Sequence, residues 1–116
     1  MRAAALLAAV LALAVPASAA APPARVQVVA KEFSLSLSRP SVKAGPAIVE
    51  LANFGEDPHD LRLQRVGGTK VYGTPILQPG TVYDLSLRLL PGRYRLWCSL
   101  GDHRALGMTA TLVVKK

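Results

Sequence analysis

The sequence predicts an all-β domain, a sandwich or a barrel of short antiparallel strands, and three observations support this. After residue 21 the apolar residues recur with a period of two, which is typical of strands with one face turned inward. No stretch of useful length in this part has the 3.6-residue period of a helix. Pro and Gly interrupt the pattern at intervals that suit turns between short strands.

The first element in chain order, residues 1–21, is predicted to be a secretory signal. Arg2 gives a positive start, residues 3–15 form an apolar run, and residues 16–19 are Pro and small residues that suit a cleavage site. The run is shorter than the roughly 20 residues that a transmembrane helix needs. An uncleaved, membrane-associated form is therefore the weaker alternative. Residues 22–116 are expected to be one exported domain, periplasmic or otherwise extracytoplasmic, with no stable membrane span.

Six segments of this domain are predicted as strands. The first has a break near Lys31 and Glu32, where its alternation is interrupted. A domain of this size buries only a modest core, so a metal ion that binds only the folded state would add to its stability. The predicted strands span residues 25–38, 47–53, 60–66, 81–89, 92–99 and 108–115. The turns are marked by Pro40, Gly45, Pro46, Gly67, Gly68, Pro79, Gly80, Pro91 and Gly92.

The chain is basic, and its basic residues are dispersed. The formal net charge of +7 becomes +6 when Arg2, the one charged residue of 1–21, is removed. The basic residues are spread over strands and turns, and we interpret them mainly as solvated surface. Such a surface attracts an acidic partner or an anionic membrane. A nucleic-acid-binding role is disfavoured because aromatic residues are few and the basic residues do not cluster.

The chain has a single cysteine, Cys98, so it cannot form an internal disulfide. Small exported domains that use cysteine for stability carry an even number of them. An unpaired thiol outside the cytoplasm is open to oxidation, so it is expected to be either deeply buried or committed to chemistry such as metal binding. Composition alone does not choose between these two roles.

The chemistry-bearing residues lie in two segments, 53–61 and 94–108. The first contains His59, and the second has the spacing Cys-x4-His-x4-Met. Each residue alone has an ordinary structural interpretation: a buried small cysteine, a core methionine, a surface or capping histidine. Together they are all the histidine, cysteine and methionine residues after residue 21. A thiolate, two imidazoles and a thioether are a ligand set that suits copper in both Cu(I) and Cu(II).

The chain resembles the cupredoxins, and among them the plastocyanin-like blue copper proteins, over nearly the whole of residues 22–116. The two segments carry the most specific part of this resemblance. The first segment matches at Asn53, Gly55, Pro58, His59, Asp60 and Leu61. The second matches at Gly92, Tyr94, Cys98, Ser99, His103, Gly107 and Met108, followed by the apolar residues 111–114. The resemblance implies a Greek-key β-sandwich and one type 1 copper ion. It also implies that Cys98 is the strong thiolate ligand, that His59 and His103 complete the plane, and that Met108 is the axial ligand.

Two residues depart from the pattern of that family. Asp60 stands where many members have Asn, at a position that ties the two ligand segments together near the thiolate, and a carboxylate there is expected to affect the site. Asp102 precedes His103, where a Gly or an apolar residue is expected. In the family the second histidine reaches solvent through an apolar patch. The candidates for that patch here are Leu100, Ala105 and Leu106, with Asp102 and Arg104 beside it.

The predicted function is that of a monomeric carrier of single electrons between redox partners, with His103 as the port and an acidic docking face on the partner. An enzyme is not expected, because hydrolytic triads, paired carboxylates, phosphate-binding loops and a second metal site need residues that the chain lacks. Three alternatives remain: copper homeostasis or delivery to an oxidase, a zinc site made by the cysteine and two histidines, and a cupredoxin-like domain without metal.

Overall fold

The computed structural model describes residues 2–13 and 21–116, and the regular structure within these ranges lies wholly in the second. Residues 2–13 contain no helix or strand, and their leucine side chains are exposed. The predicted cleavage site at residues 16–19 lies outside the described residues. Among those that are described, no helix is long and apolar enough to cross a bilayer.

The domain consists of strands with one helical turn near its C-terminal end. Alternating apolar residues form the longer strands, as in Ala24–Lys31, where every second side chain from Val26 to Ala30 is buried. In chain order the elements are β1 (Ala24–Lys31), β2 (Ser34–Leu37), β3 (Ser41–Lys43), β4 (Gly45–Asn53), β5 (Arg62–Arg65), β6 (Val71–Gly73), β7 (Val82–Leu89), β8 (Gly92–Trp97), α1 (His103–Leu106) and β9 (Thr109–Lys115).

The strands form two sheets that enclose one core. The four-stranded sheet has the order β2-β1-β4-β7, and the five-stranded sheet has the order β3-β9-β8-β5-β6. Two pairs are parallel, β1 with β4 and β3 with β9, and the others are antiparallel. The core takes side chains from both sheets, among them Val28, Val49, Leu51, Leu63, Leu96 and Leu112. The prediction of an all-β Greek-key sandwich is confirmed.

The structure differs from the predicted elements in three places. Two strands were not predicted, Ser41–Lys43 and Val71–Gly73, each of only three residues at the edge of the five-stranded sheet. A helical turn, His103–Leu106, lies where no regular element was expected. Segments this short have no measurable period, so their conformation follows from the neighbouring strands and the loop. The expected break after Lys31 is present as the turn between β1 and β2.

Candidate metal centre

One loop carries three of the four predicted ligands. The last register pair of β8 and β9 is Trp97 with Thr109, so residues 98–108 form the loop that joins these antiparallel strands. Inside it, the amide of Cys98 donates to the carbonyl of Met108 at 3.2 Å, and the amide of Met108 donates to the carbonyl of His103 at 3.1 Å. These bonds hold the backbones of all three predicted ligands together.

The fourth predicted ligand, His59, comes from the segment that leads into β5. It forms an isolated antiparallel bridge with Leu77: the amide of His59 donates to the carbonyl of Leu77 at 3.1 Å, and the reverse bond is 2.7 Å. Because Arg62 pairs with Trp97, the residues before β5 lie beside those that follow β8. The side chain of His59 is completely buried.

The structure brings the donor atoms of His59, Cys98 and His103 together. The Sγ of Cys98 lies 3.8 Å from Nδ1 of His59 and 3.7 Å from Nδ1 of His103. The three donor atoms all lie within 4.8 Å of one another. An ion bound in a plane by nitrogen at about 2.0–2.1 Å and sulfur at about 2.3 Å needs a separation of about 3.8 Å between them. The donor set and its spacing therefore fit a transition metal.

Met108 lies at the end of the same loop and is completely buried. Its backbone forms hydrogen bonds with the backbones of Cys98 and His103. If its thioether joins the cysteine sulfur and the two imidazoles, the four together are the soft donor set on which copper proteins of the electron-transfer class rely. Cys98 and His59 are also buried, whereas the side chain of His103 keeps 16% of its surface exposed.

Asp60 joins the two ligand segments. Its Oδ1 accepts a hydrogen bond from the amide of Ser99 at 2.7 Å, its Oδ2 accepts from the hydroxyl of Ser99, and Arg62 approaches Oδ2 to 3.3 Å. The carboxylate is completely buried. Burial raises the pKa of the Cys98 thiol, and the negative charge of Asp60 raises it further. In the absence of a cation, this environment therefore favours the neutral thiol.

The turn between β1 and β2 also belongs to the site, and the sequence did not predict this. Glu32 places Oε1 3.0 Å from Nε2 of His59. The ring of Phe33 lies 5.3 Å from that of His103 between centroids. Glu32 and Phe33 precede His59, the first predicted ligand, by more than twenty residues and belong to no predicted ligand motif. The interruption of alternation at Glu32 was the one available indication, and it predicted only a turn.

The surface around His103 is partly as expected. Ala105 is exposed and Leu106 is half-exposed, while Leu100 packs partly against the core. Phe33, which is 39% exposed, adds an aromatic ring to this region. Beside it, the guanidinium of Arg104 lies 4.5 Å above the ring of Trp97, a cation–π contact.

Comparisons with known proteins find matches to the fold of this chain but none to its sequence. No protein-family model matches the chain, and no curated protein matches its sequence. Solved structures do match. Dithionite-reduced auracyanin from Roseiflexus castenholzii has a TM-score of 0.64 at 16% identity, over 79% of this chain and 97% of that one.

Two further solved structures agree with this result. Auracyanin A, a "blue" copper protein from Chloroflexus aurantiacus, has a TM-score of 0.65 at 14% identity, over 81% of this chain and all of that one. A purple cupredoxin from Nitrosopumilus maritimus has a TM-score of 0.57 at 17% identity, over 77% and 98% of the two chains. The protein therefore has the cupredoxin fold that the resemblance implied.

Proposed function

We propose that this protein, with its cupredoxin fold, carries single electrons by means of one copper ion held by His59, Cys98, His103 and Met108. Copper bound by such ligands supplies a one-electron couple between Cu(I) and Cu(II). The observation that carries the proposal is the convergence of one thiol and two imidazoles at the separations that a bound transition metal requires. Met108 adds the weak sulfur donor that a zinc site does not need.

The residues around these donors suit a site that changes little between two oxidation states. His59 is fixed by its bridge to Leu77, and the loop of Cys98 is fixed by Asp60 through Ser99. Ligands that are held from outside keep their positions when the charge at the centre changes. Burial of Cys98 and His59 also excludes water from the donors. A buried site of this kind favours electron transfer over metal delivery, which needs an open site.

We propose that electrons enter and leave through the imidazole of His103. Among the three clustered donors it belongs to the one residue that is not fully buried. Phe33 and Leu106 offer apolar surface beside it, on which a partner could exclude water at the contact. This arrangement suits a transient complex, in which a small apolar contact brings the two redox centres close.

The partner is proposed to be a redox protein with an acidic docking face. The five strands of the second sheet, β3, β5, β6, β8 and β9, contain no Asp or Glu. Their outward side chains include Arg93 and Arg95, both exposed. An acid-free basic face on this sheet increases the encounter rate with a negatively charged partner. We further propose that the carrier is monomeric and that residues 1–21 direct its export.

Expression of the full chain in a copper-supplied bacterium, followed by visible absorption and electron spin resonance spectra, tests the assignment. The expected result is an intense thiolate-to-copper band that reductant bleaches reversibly and that Cys98→Ala abolishes. Circular dichroism of the variant checks that its sandwich is intact. If the protein is colourless and binds zinc, a zinc site replaces the electron-carrier proposal. If it takes up copper weakly and releases it to a chelator, copper delivery replaces that proposal. The mass of the exported protein tests cleavage near residue 21.

A further inference from the structure

The carboxylate of Glu32 occupies the side of His59 that faces away from the other ligands. Its Oε1 lies 3.0 Å from Nε2 of His59, while Nδ1 of the same ring faces the sulfur of Cys98 at 3.8 Å. The same oxygen accepts hydrogen bonds from the amides of Glu56 at 2.8 Å and Asp57 at 2.6 Å. One oxygen therefore joins the β1–β2 turn, the segment before His59, and the imidazole itself.

This geometry selects one form of the imidazole. An ionised carboxylate only accepts hydrogen bonds, so the proton of a neutral His59 belongs on Nε2, where it is donated to Glu32. The other neutral tautomer would set two lone pairs against each other at 3.0 Å. With the proton on Nε2, Nδ1 has a free lone pair directed toward Cys98. This is the form in which a histidine binds a metal.

We propose that Glu32 is a positioning residue, which holds His59 in the Nε2–H form with Nδ1 directed into the cluster and makes that nitrogen a stronger donor. The identity of the metal in this inference rests on the proposed function, but the selection of the tautomer does not. A carboxylate behind a ligating imidazole increases the basicity of the ligand nitrogen. A more basic nitrogen stabilises Cu(II) more than Cu(I), because the oxidised ion is the harder acid.

Burial distinguishes this contact from an ordinary surface ion pair. The side chain of His59 is completely buried, and only a quarter of the Glu32 side chain is exposed. No solvent reaches Nε2 while Glu32 is in place, so its N–H depends on the carboxylate for a partner. The neighbouring Phe33 contacts the ring of His103, so the same turn borders both imidazoles. The β1–β2 turn is thus a third supporting segment of the site.

The first experiment uses the metal-free protein, expressed from the full chain. Nitrogen chemical shifts of the imidazoles report which ring nitrogen carries the proton. We expect wild type to hold His59 as the Nε2–H tautomer. Glu32→Gln, which keeps an amide oxygen as acceptor, is expected to retain this form, and Glu32→Ala is expected to give a mixture. Glu56→Gln, which removes an exposed charge from the same contact region, serves as the matched control and is expected to resemble wild type.

The second experiment measures copper binding. Loss of an outer hydrogen-bond partner of a metal-binding histidine costs about 10–100-fold in metal affinity. We expect Glu32→Gln to lose Cu(II) affinity in preference to Cu(I), and each tenfold preference raises the reduction potential by about 59 mV. Merely structural support of residues 55–57 would lower both affinities equally. If Glu32→Ala does not fold, Glu32→Gln alone decides this arm.

Two results would overturn the inference. The first is an Nδ1–H tautomer of His59 in wild type. The second is that the Glu32 variants match Glu56→Gln in the tautomer of His59, in Cu(II) affinity and in reduction potential. Failure of the proposed function has a different signature. In that case the tautomer arm gives its expected result while copper produces no thiolate band. The relative affinities for zinc, measured in the same variants, then report whether Glu32 positions His59 for that metal instead.

Discussion

Asp60 is the residue on which both ligand segments depend, because its two oxygens bind Ser99 directly after Cys98. In Asp60→Ala the amide and the hydroxyl of Ser99 lose their charged acceptor, and a hydrogen bond to a charged group contributes about 1.5–3 kcal/mol to the free energy of unfolding. Asp60→Asn keeps one acceptor and is expected to lose less. Urea denaturation of the metal-free proteins measures both changes.

The matched control for this prediction is Asp84→Ala. Asp84 and Arg25 form a surface pair at 3.9 Å with both side chains more than half exposed. Pairs of this kind contribute about 0–1 kcal/mol. Equal destabilisation by Asp60→Ala and Asp84→Ala would mean that the buried carboxylate does not hold the two segments together.

Glu32 gives a pH-dependent contribution to stability. The hydrogen bond from the amide of Asp57 is the largest cause that lowers the pKa of this carboxyl from 4.5 to about 2, and burial opposes it. Since the pKa is lower in the folded state, the stabilisation is complete above pH 4.5 and is lost as the pH falls toward 2. We expect the melting temperatures of metal-free wild type and Glu32→Gln to differ at neutral pH and to converge in acid. A constant difference would contradict the assignment.

At the residue scale, the sequence indicated the candidate donors but not every group that contacts them. His59, Cys98, His103 and Met108 were singled out because few residue types bind soft metals, and all of those present after residue 21 fell into one pattern. Asp60 was expected to join the ligand segments, and it does. Glu32 was not identified, since carboxylates are common on surfaces and the fold alone brings this one to His59. The ligand roles themselves stay predictions.

At the element scale, the ligand loop has a conformational requirement at Gly107. Its φ is +124°, and a Cβ there would lie 3.0 Å from the carbonyl oxygen of Phe33. A strained backbone position costs about 1–3 kcal/mol, and Gly107→Ala is therefore expected to destabilise the protein by this amount or more. The loop would also move away from the β1–β2 turn, which the spin resonance spectrum of the copper-loaded protein would record.

Gly80→Ala is the control for Gly107→Ala. Gly80 has a φ of +81°, but no atom lies within 4 Å of the position of its Cβ. It therefore tests backbone strain without the contact. Thermal unfolding should show a smaller loss for Gly80→Ala and no spectral change. Identical behaviour of the two variants would exclude a role for the contact with Phe33.

The long strands were predictable and the short ones were not. Strands such as Val82–Leu89 and Gly92–Trp97 have enough residues to show alternation, and Pro91-Gly92 marks the turn between them. Ser41–Lys43 and Val71–Gly73 are strands because β9 and β5 offer them a free edge. Pairing with a distant partner of this kind leaves no pattern in a three-residue stretch. The same holds for the helical turn, which the loop determines.

At the scale of the whole molecule, the metal is expected to add stability to a domain that folds without it. The core, which includes Leu51, Leu63 and Leu112, takes side chains from both sheets and extends to Cys98 and Met108. Copper at 1,000 times its dissociation constant adds about 4 kcal/mol. Anaerobic calorimetry with Cu(I) should give cooperative unfolding with and without metal, at a higher temperature when loaded. Cys98→Ala should show little gain, and a metal-free protein without a transition would contradict the prediction.

The net charge of +7, or +6 without the signal, predicts how small redox reagents react with the protein. Oxidation by an anionic iron cyanide complex is expected to slow as salt is added, and oxidation by a cationic cobalt complex to accelerate. Screening acts over about 8 Å at physiological ionic strength, so the salt dependence reports the charge that each reagent meets on the protein. Stopped-flow rates across a salt series measure it. If the rates with the two reagents change in the same direction as salt is added, the result argues against a basic docking region.

The pairing of Trp97 with Thr109 closes the ligand loop at its base. The ladder hydrogen bonds and buried side chains of these strands lie on the far side of the pair, so we expect the strands to keep their register when the length of the loop changes. We therefore expect residues 98–108 to be exchangeable as a cassette between unchanged strands, provided that the new loop keeps the contacts with Asp60 and the β1–β2 turn. Such an exchange would change the chemistry of the centre and leave the scaffold as it is.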